Sequence, residues 1–395
     1  MSKNPEPMRK LSDYTSILSN SIPTELRLVF EILWAQHKEV YIVGGAIRDC
    51  LLGSPTIDFD IITDARPEEV EKFLNAKGIK TRPIGGEFGT ILAIVDKNAV
   101  FDISTFRREI YSSSGPPEIV FVDSLEEDLP RRDFSFNAIA YDPRNRRFID
   151  KHDGFRDLKQ GIIQTIGDAY TRISEDGTRI IRLARFVSQF ELKIHPNLLA
   201  ATLSIGKKAR FFSYTMLQKE FFKLLLLPDP TKGLRLLWDA KVLSALFPNF
   251  PLSKSNVDSV KSEKILKKFS KIPSRDVWVK LFGLLLFLSD NIEYSEENWL
   301  SVCLDLKITD REQKKLLHIF RSWLNFPQFP EFKKLKQWIR ATGINTSENL
   351  VELIFLKAEL EELSDILIKK EQYIKEVQII LESFRRSSSD NKKKD

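Results

Sequence analysis

The sequence predicts an α+β protein: a mixed sheet with helices packed on it, followed by an all-helical region. Three observations carry this. Up to about residue 150, short β-branched runs alternate with helical patterns. From Arg172 onward the strand signals fade into long patterns rich in Leu, Phe and Lys. Beyond that point Pro marks breaks where a helix cannot continue.

The elements follow in order. "TELRLVFEILWAQHK", from Thr24, repeats apolar residues at helical spacing. "VYIVGG", "FDIIT", "TILAIVD", "AVFDIST" and "EIVFVD" are strand candidates ended by Gly, Asp or Ser. "EEDLPRRDFSFNAIAYD" sets two arginines and an aspartate before an apolar, helix-like run. "EDGTRIIRLARFVSQF" opens the helical half, which is broken at "LPDPTKG", "FPNFPLSKSN" and "NFPQFPEF". The end, "RRSSSDNKKKD", is a polar tail that need not fold. The expected divisions are 13–150, 151–210 and 211–385, with 386–395 as a flexible tail.

Composition sets limits. The chain has 395 residues, 42% of them hydrophobic, enough for two or three domains with a substantial core. A net charge of +6 is modest, so only clustering could make a nucleic-acid footprint. Cys50 and Cys303 give neither a disulfide framework nor a thiolate metal site, and a reducing compartment is the simplest reading. No N-terminal apolar run follows the first charges, and "VKLFGLLLFLS" is too short to span a bilayer. The expectation is a soluble cytoplasmic protein without a membrane partner.

The chemistry concentrates in "YIVGGAIRDCLLGSPTIDFDIITDA". On a strand, Asp58 and Asp60 point to one face with Phe59 on the other. Two such carboxylates repel unless a cation lies between them, and an oxygen-only pair suits Mg²⁺ together with substrate phosphates. Solvated acids at a sheet edge are the competing reading. Gly44 and Gly45, followed by a helix-compatible segment, let backbone N–H groups approach a triphosphate, and Arg48 is within reach of the same phosphates. Asp102 in "VFDISTFRRE" is either a third carboxylate, permitting a two-metal site, or the partner of Arg107.

The arginine elements are also two-sided. Arg132 could cap a helix with its neighbours, or grip phosphate oxygens with paired donors. Asp176 and Arg179, three apart on a predicted helix, could read the pairing edge of C or A, with Arg182 and Arg185 continuing the stripe. An intrahelical salt bridge is the alternative. His152-Asp153 invites an HD-type metal site, but the four histidines are too scattered.

Together, "VGGAIRDCLLGSPTIDFDIIT", "FDISTFR", "EEDLPRRDFSFNAIAYD" and "EDGTRIIRLARFVSQF" resemble, in order and spacing, the class II tRNA nucleotidyltransferase and bacterial poly(A) polymerase family. The resemblance covers about residues 20–250. It implies a polymerase β-type head, then helical neck, body and tail domains holding the tRNA acceptor end. It implies Asp58 and Asp60 as Mg²⁺ ligands and Asp102 as a further catalytic carboxylate. It implies Gly44, Gly45, Arg48, Arg132, Asp176, Arg179, Arg182 and Arg185 on the nucleotide. The implied reaction is attack of the tRNA 3′-hydroxyl on the α-phosphate of CTP or ATP, building the CCA end without a template.

The segment "REIYSSSGPPEIVFV" departs from the family pattern by lacking the Asp and Arg common in the loop after "TFR". This puts terminal A addition in question and leaves CC-only or A-only addition as alternatives. Poly(A) polymerase activity and a catalytically inactive RNA-binding relative are the other rivals. Three basic clusters could track RNA phosphates: Lys207, Lys208 and Arg210; Lys264, Lys267, Lys268 and Lys271; and Lys333, Lys334, Lys336 and Arg340 beside Trp338.

Overall fold

A computed structural model describes residues 10–55, 58–112, 115–209, 211–252, 259–272, 275–289, 295–327, 332–360 and 370–391. The chain forms two compact units. One comprises residues 1–176 and 192–202, the other residues 177–191 and 203–395.

The first unit is built on a seven-stranded mixed sheet. Its strands are β1 (Val40–Val43), β2 (Asp60–Thr63), β3 (Lys80–Ile84), β4 (Thr90–Ile94), β5 (Val100–Thr105), β8 (Ala140–Asp142) and β9 (Arg147–Ile149). They lie in the order β3-β4-β5-β2-β1-β8-β9. Only β2 and β5 pair in parallel; the other neighbours are antiparallel. β6 (Arg107–Ile110) and β7 (Glu118–Phe121) make a separate antiparallel hairpin. Val43, Ile62 and Ala140 pack with Phe106, Val122, Leu125 and Leu129 in one buried cluster. Apolar burial of this kind, about 25 cal/mol per Å², fixes the strand ends that carry the site.

The expected helix Thr24–Trp34 forms, burying Leu26, Val29, Phe30 and Leu33 on one side. The helix-like reading of "FSFNAIAYD" is corrected. Ser135–Ala138 is a 3-10 turn and Ala140–Asp142 is a strand beside β1. Every residue from Asp133 to Asp142 is buried, and a short run buried all round carries no periodicity to separate helix from strand.

Among its described residues, the elements of the second unit are all helices. Its helix Thr178–Phe190 packs against Thr231–Asp239 at backbone distance. A Cβ on Gly233 would lie 2.2 Å from the Ala184 carbonyl oxygen, and the Gly233 N–H donates to Ser188 Oγ at 2.7 Å. Further along, Trp299 is fully buried, its ring centroid 4.5 Å from that of Phe282. The last helix runs from Lys370 to Asn391, so the expectation that the polar end stays unfolded is corrected for 386–391. Extending a helix already nucleated adds a hydrogen bond per residue at little cost. Residues 392–395 lie outside the described residues. Among the described residues no helix is long and apolar enough to cross a membrane.

Candidate functional site

Asp60 begins β2 and stands opposite Asp102 of β5 on one side and Val43 of β1 on the other. Gly44 therefore leaves the sheet beside the Asp60 carboxylate. Its φ of +73° and ψ of −129° suit Gly alone, and a Cβ there would lie 3.0 Å from Asp60 Oδ2. Asp58 sits just ahead of the strand. Asp58 and Asp60 are exposed, with Phe59 buried between them, as the alternation requires. Asp102 is exposed too.

Three carboxylates do not converge. Among the described residues no group of three or more His, Cys, Asp or Glu side chains is placed to hold a metal ion. The two-metal arrangement built on Asp58, Asp60 and Asp102 is thus not formed by the side chains as they stand, and neither is an HD site at His152. A hard cation held by two carboxylates takes its remaining ligands from phosphate and water. The exposed aspartates and the glycine cradle against Asp60 fit such an ion. Arg107, the competing partner for Asp102, turns instead to Glu109 at 3.5 Å and to the Phe88 carbonyl at 2.8 Å.

Arg48, in the helix Gly45–Leu51, is buried. Its Nε and Nη2 donate to Asp49 Oδ1 at 2.9 and 2.7 Å, and Nη1 to Asn137 Oδ1 at 3.4 Å. Asn137 in turn donates to Asp133 Oδ1 at 2.8 Å. The glycine turn and the Arg131–Asp133 segment are linked through this polar chain. A Cβ at Gly45 would make only ordinary contact with Arg48 Nη2, at 3.5 Å.

The Arg131–Arg132 pair grows from a fully buried carboxylate. Asp128 Oδ1 accepts from Arg131 Nε at 3.0 Å and from the Arg107 N–H at 3.1 Å, while Oδ2 accepts from Arg132 Nη2 at 3.1 Å. Burial alone would raise the Asp128 pKa. The two guanidiniums and the Arg107 N–H overcome it and hold the carboxyl below its ordinary value. Burial lowers Arg132, opposed by Asp128, and Asp60 is among the charges acting on it, so Arg132 lies within electrostatic reach of the β2 carboxylate. Burial and Arg131 together push Arg107 down to about 10. Arg132 Nε is buried with no hydrogen-bond partner among the described residues. A buried cationic donor without an acceptor is expensive unless an anion binds there.

The helical face predicted for Asp176 and Arg179 is corrected. Asp176 is extended, with φ −151° and ψ 112°, and the helix begins only at Thr178 after Gly177. Asp and Gly are both poor helix formers, so the two helices break at this dipeptide. Arg179 is buried. Arg185 donates to Glu220 Oε2 at 2.7 Å and Gln189 Oε1 at 2.8 Å, and Arg182 lies 3.4 Å from Glu220 Oε1. Glu220 is itself 2% exposed. The expected phosphate role of Arg185 therefore gives way to an ion pair inside the helical unit.

Of the basic clusters, Lys264, Lys267, Lys268 and Lys271 line a cavity of about 470 Å³ with Glu263. Lys267 pairs with Glu263 and Lys268 with Glu359. Lys336 and Arg340 lie over the Phe384 ring, at 6.0 and 5.5 Å from its centroid. Trp338 is buried, with Nε1 donating to the Ser322 carbonyl, and offers no stacking surface. Arg210 lies outside the described residues.

Sequence reasoning missed Asp128, Glu109 and Arg172. The signal for Asp128 was its position four residues before Arg132. Arg172 donates to the carbonyls of both Arg131 and Arg132, at 2.6 and 2.8 Å, a contact that no local spacing announces.

Comparison with known proteins gives a consistent result. Residues 40–164 match the Poly A polymerase head domain model, and residues 217–252 the model described as a probable RNA and SrmB-binding site of polymerase A. A CCA-adding enzyme of Ligilactobacillus salivarius is 32% identical over 290 residues, 72% of this chain and 69% of the relative. One from Staphylococcus haemolyticus is 31% identical over 347 residues, 86% and 79% of the two chains. Among solved structures, the CCA-adding enzyme of Bacillus stearothermophilus in complex with CTP superposes with a TM-score of 0.60 at 24% identity, over 92% of this chain and 83% of its own. That of Thermotoga maritima complexed with tRNA gives 0.62 at 21% identity, over 92% and 86%. These two share the fold.

Proposed function

The chain belongs to the CCA-adding enzyme family, and from that premise we propose that it builds or repairs the 3′ CCA end of tRNA from CTP and ATP, releasing pyrophosphate. The observation that carries this is the meeting of Asp60, Asp102 and the Gly44 turn, with Arg132 in electrostatic reach of Asp60 and its buried Nε without a hydrogen-bond partner among the described residues. Asp58 and Asp60 hold a divalent cation, which we take to be Mg²⁺. Bound there, it supplies Lewis-acid stabilisation of phosphate oxygens and of the attacking hydroxyl. Asp102 contributes charge beside Asp60.

Gly44 and Gly45 let the chain approach the triphosphate without a side chain between, and Arg48 and Arg132 orient it. Asp176 and Arg179 select the base by its pairing edge, the carboxylate accepting from an exocyclic amine and the guanidinium donating to ring nitrogen or carbonyl. Arg182, partly exposed, serves as a supporting contact. No covalent intermediate is required, because orientation and electrostatics suffice for in-line transfer. Complete CCA addition is favoured over CC-only addition because the relatives above are named for it.

The test is incorporation from labelled CTP and ATP into tRNA lacking its 3′ end, with Mg²⁺, resolved one nucleotide at a time. The reading expects C, C, A and then arrest. Two additions would leave the CC-only alternative, a ladder of A the polymerase, and no extension of any RNA would remove every enzymatic reading. Asp58→Ala should abolish incorporation and keep tRNA affinity.

A further inference from the structure

We infer that Asp128 and Arg172 are positioning residues for Arg132, the first fixing its side chain and the second its backbone; this rests on the reading of Arg132 as a nucleotide contact. Asp128 is 0% exposed, and its oxygens are taken by Arg131, Arg132 and the Arg107 N–H. It therefore acts through its partners and not on substrate. Arg132 follows a 3-10 turn, Leu129–Arg131, and its own backbone is extended, with φ −66° and ψ 157°. A single peptide in that conformation can swing unless its carbonyl is held.

Arg172 supplies the hold. One nitrogen, Nη2, donates to two successive carbonyls, those of Arg131 and Arg132, while Nη1 pairs with Glu175. A planar guanidinium bridging adjacent carbonyls fixes both peptide planes at once. The Arg132 side chain is then tied at Nη2 alone, leaving its buried Nε without a partner. Arg131 extends the same frame to the hairpin by reaching Glu109 at 3.3 Å, and Glu109 also accepts from Tyr111. Among the described residues the buried Nε of Arg132 has no hydrogen-bond partner, a state the Nε of Arg107 shares, and Asp60 is among the charges acting on Arg132.

The experiment uses the full chain and five variants: Asp128→Asn, Arg172→Gln, Arg172→Lys, Arg132→Ala and the double variant Asp128→Asn/Arg132→Ala. The readouts are KM for CTP and kcat for C addition to tRNA lacking its 3′ end, tRNA affinity, and Tm. Misplacing a contact by about 1 Å can cost about a hundredfold. Asp128→Asn and Arg172→Gln should each raise KM for CTP, or lower kcat/KM, by roughly tenfold or more on that scale. Their tRNA affinity should be unchanged, and Arg172→Lys should recover part of the loss. Adding Asp128→Asn to Arg132→Ala should cost little more, since both act through one side chain.

Lower Tm with unaltered CTP kinetics in Asp128→Asn and Arg172→Gln, beside a damaged Arg132→Ala, overturns the inference alone. Additive losses in the double variant do the same. An Arg132→Ala enzyme with normal kinetics removes the reading of Arg132, and the inference with it. If Asp128→Asn does not fold, the two Arg172 variants decide.

Discussion

Replacing Gly44 by Ala separates two effects that the structure keeps apart. The backbone at φ +73° and ψ −129° is strained for any L side chain, a cost of about 1–3 kcal/mol. For a unit of this size that lowers Tm by roughly 2–4 °C per kcal/mol. The new methyl also stands 3.0 Å from Asp60 Oδ2, in the space where phosphate and cation would approach the carboxylate. Gly53 is the internal control. Its φ is +71°, yet a Cβ there meets nothing within 4 Å. Gly53→Ala should lose about 1–2 kcal/mol from left-handed strain and keep full incorporation. Gly44→Ala should lose comparable stability and, by displacement of the reacting groups, on the order of a hundredfold in kcat/KM for CTP. The assay is single-nucleotide incorporation into truncated tRNA beside thermal unfolding of the same preparations. If Gly44→Ala matches Gly53→Ala in both, the cradle against Asp60 has no catalytic meaning and the site must be sought elsewhere.

Other outcomes follow from buried charges. Lys280 is 4% exposed, its ammonium 5.1 Å from the Phe269 ring centroid, and burial pulls its pKa from 10.5 down to about 8. At about 1.4 kcal/mol per pH unit, ionising it in the fold costs on the order of 3 kcal/mol at neutral pH. The unfolded chain keeps this proton up to pH 10.5 while the folded chain sheds it near 8, so wild-type stability should rise across that window. Lys280→Met should be more stable than wild type at pH 7 and lose the advantage by pH 10.5; an equal Tm difference at both would refute the burial argument. Glu220→Ala should cost about 3–5 kcal/mol by stranding Arg185, read as a shift in urea midpoint. Arg179→Ala should blur the choice between CTP and ATP more than it weakens metal dependence, and unchanged selectivity in a two-nucleotide competition would count against base reading.

The strands that sequence reasoning located were those with β-branched runs ending in Gly, Asp or Ser, and they became β1, β2, β4, β5 and β7. β3 escaped because "KTRPI" holds Arg82 and Pro83, residues tolerated there because β3 is an edge strand. β8 escaped because "AYD" continues an apolar run buried on all sides. At the site, the Asp58–Asp60 alternation and the glycine turn were legible, since both are local geometry. The Asp60–Asp102 pairing was only conditional, as it depends on which strands become neighbours. Asp176 was misplaced because periodicity ran through a dipeptide that backbone conformation breaks. Arg185 looked like a stripe of positive charge until Glu220, 35 residues on, came to meet it.

Gly233 carries one more consequence. Where a carbonyl oxygen leaves no space for even a methyl group, two rods are keyed together like teeth, and neither can glide along the other without unlocking. Arg179 rides on one of them. If Arg179 meets the base as proposed, a change of nucleotide should draw on torsions of its side chain and not on sliding of its helix along this neighbour, a finger turning on a rigid knuckle.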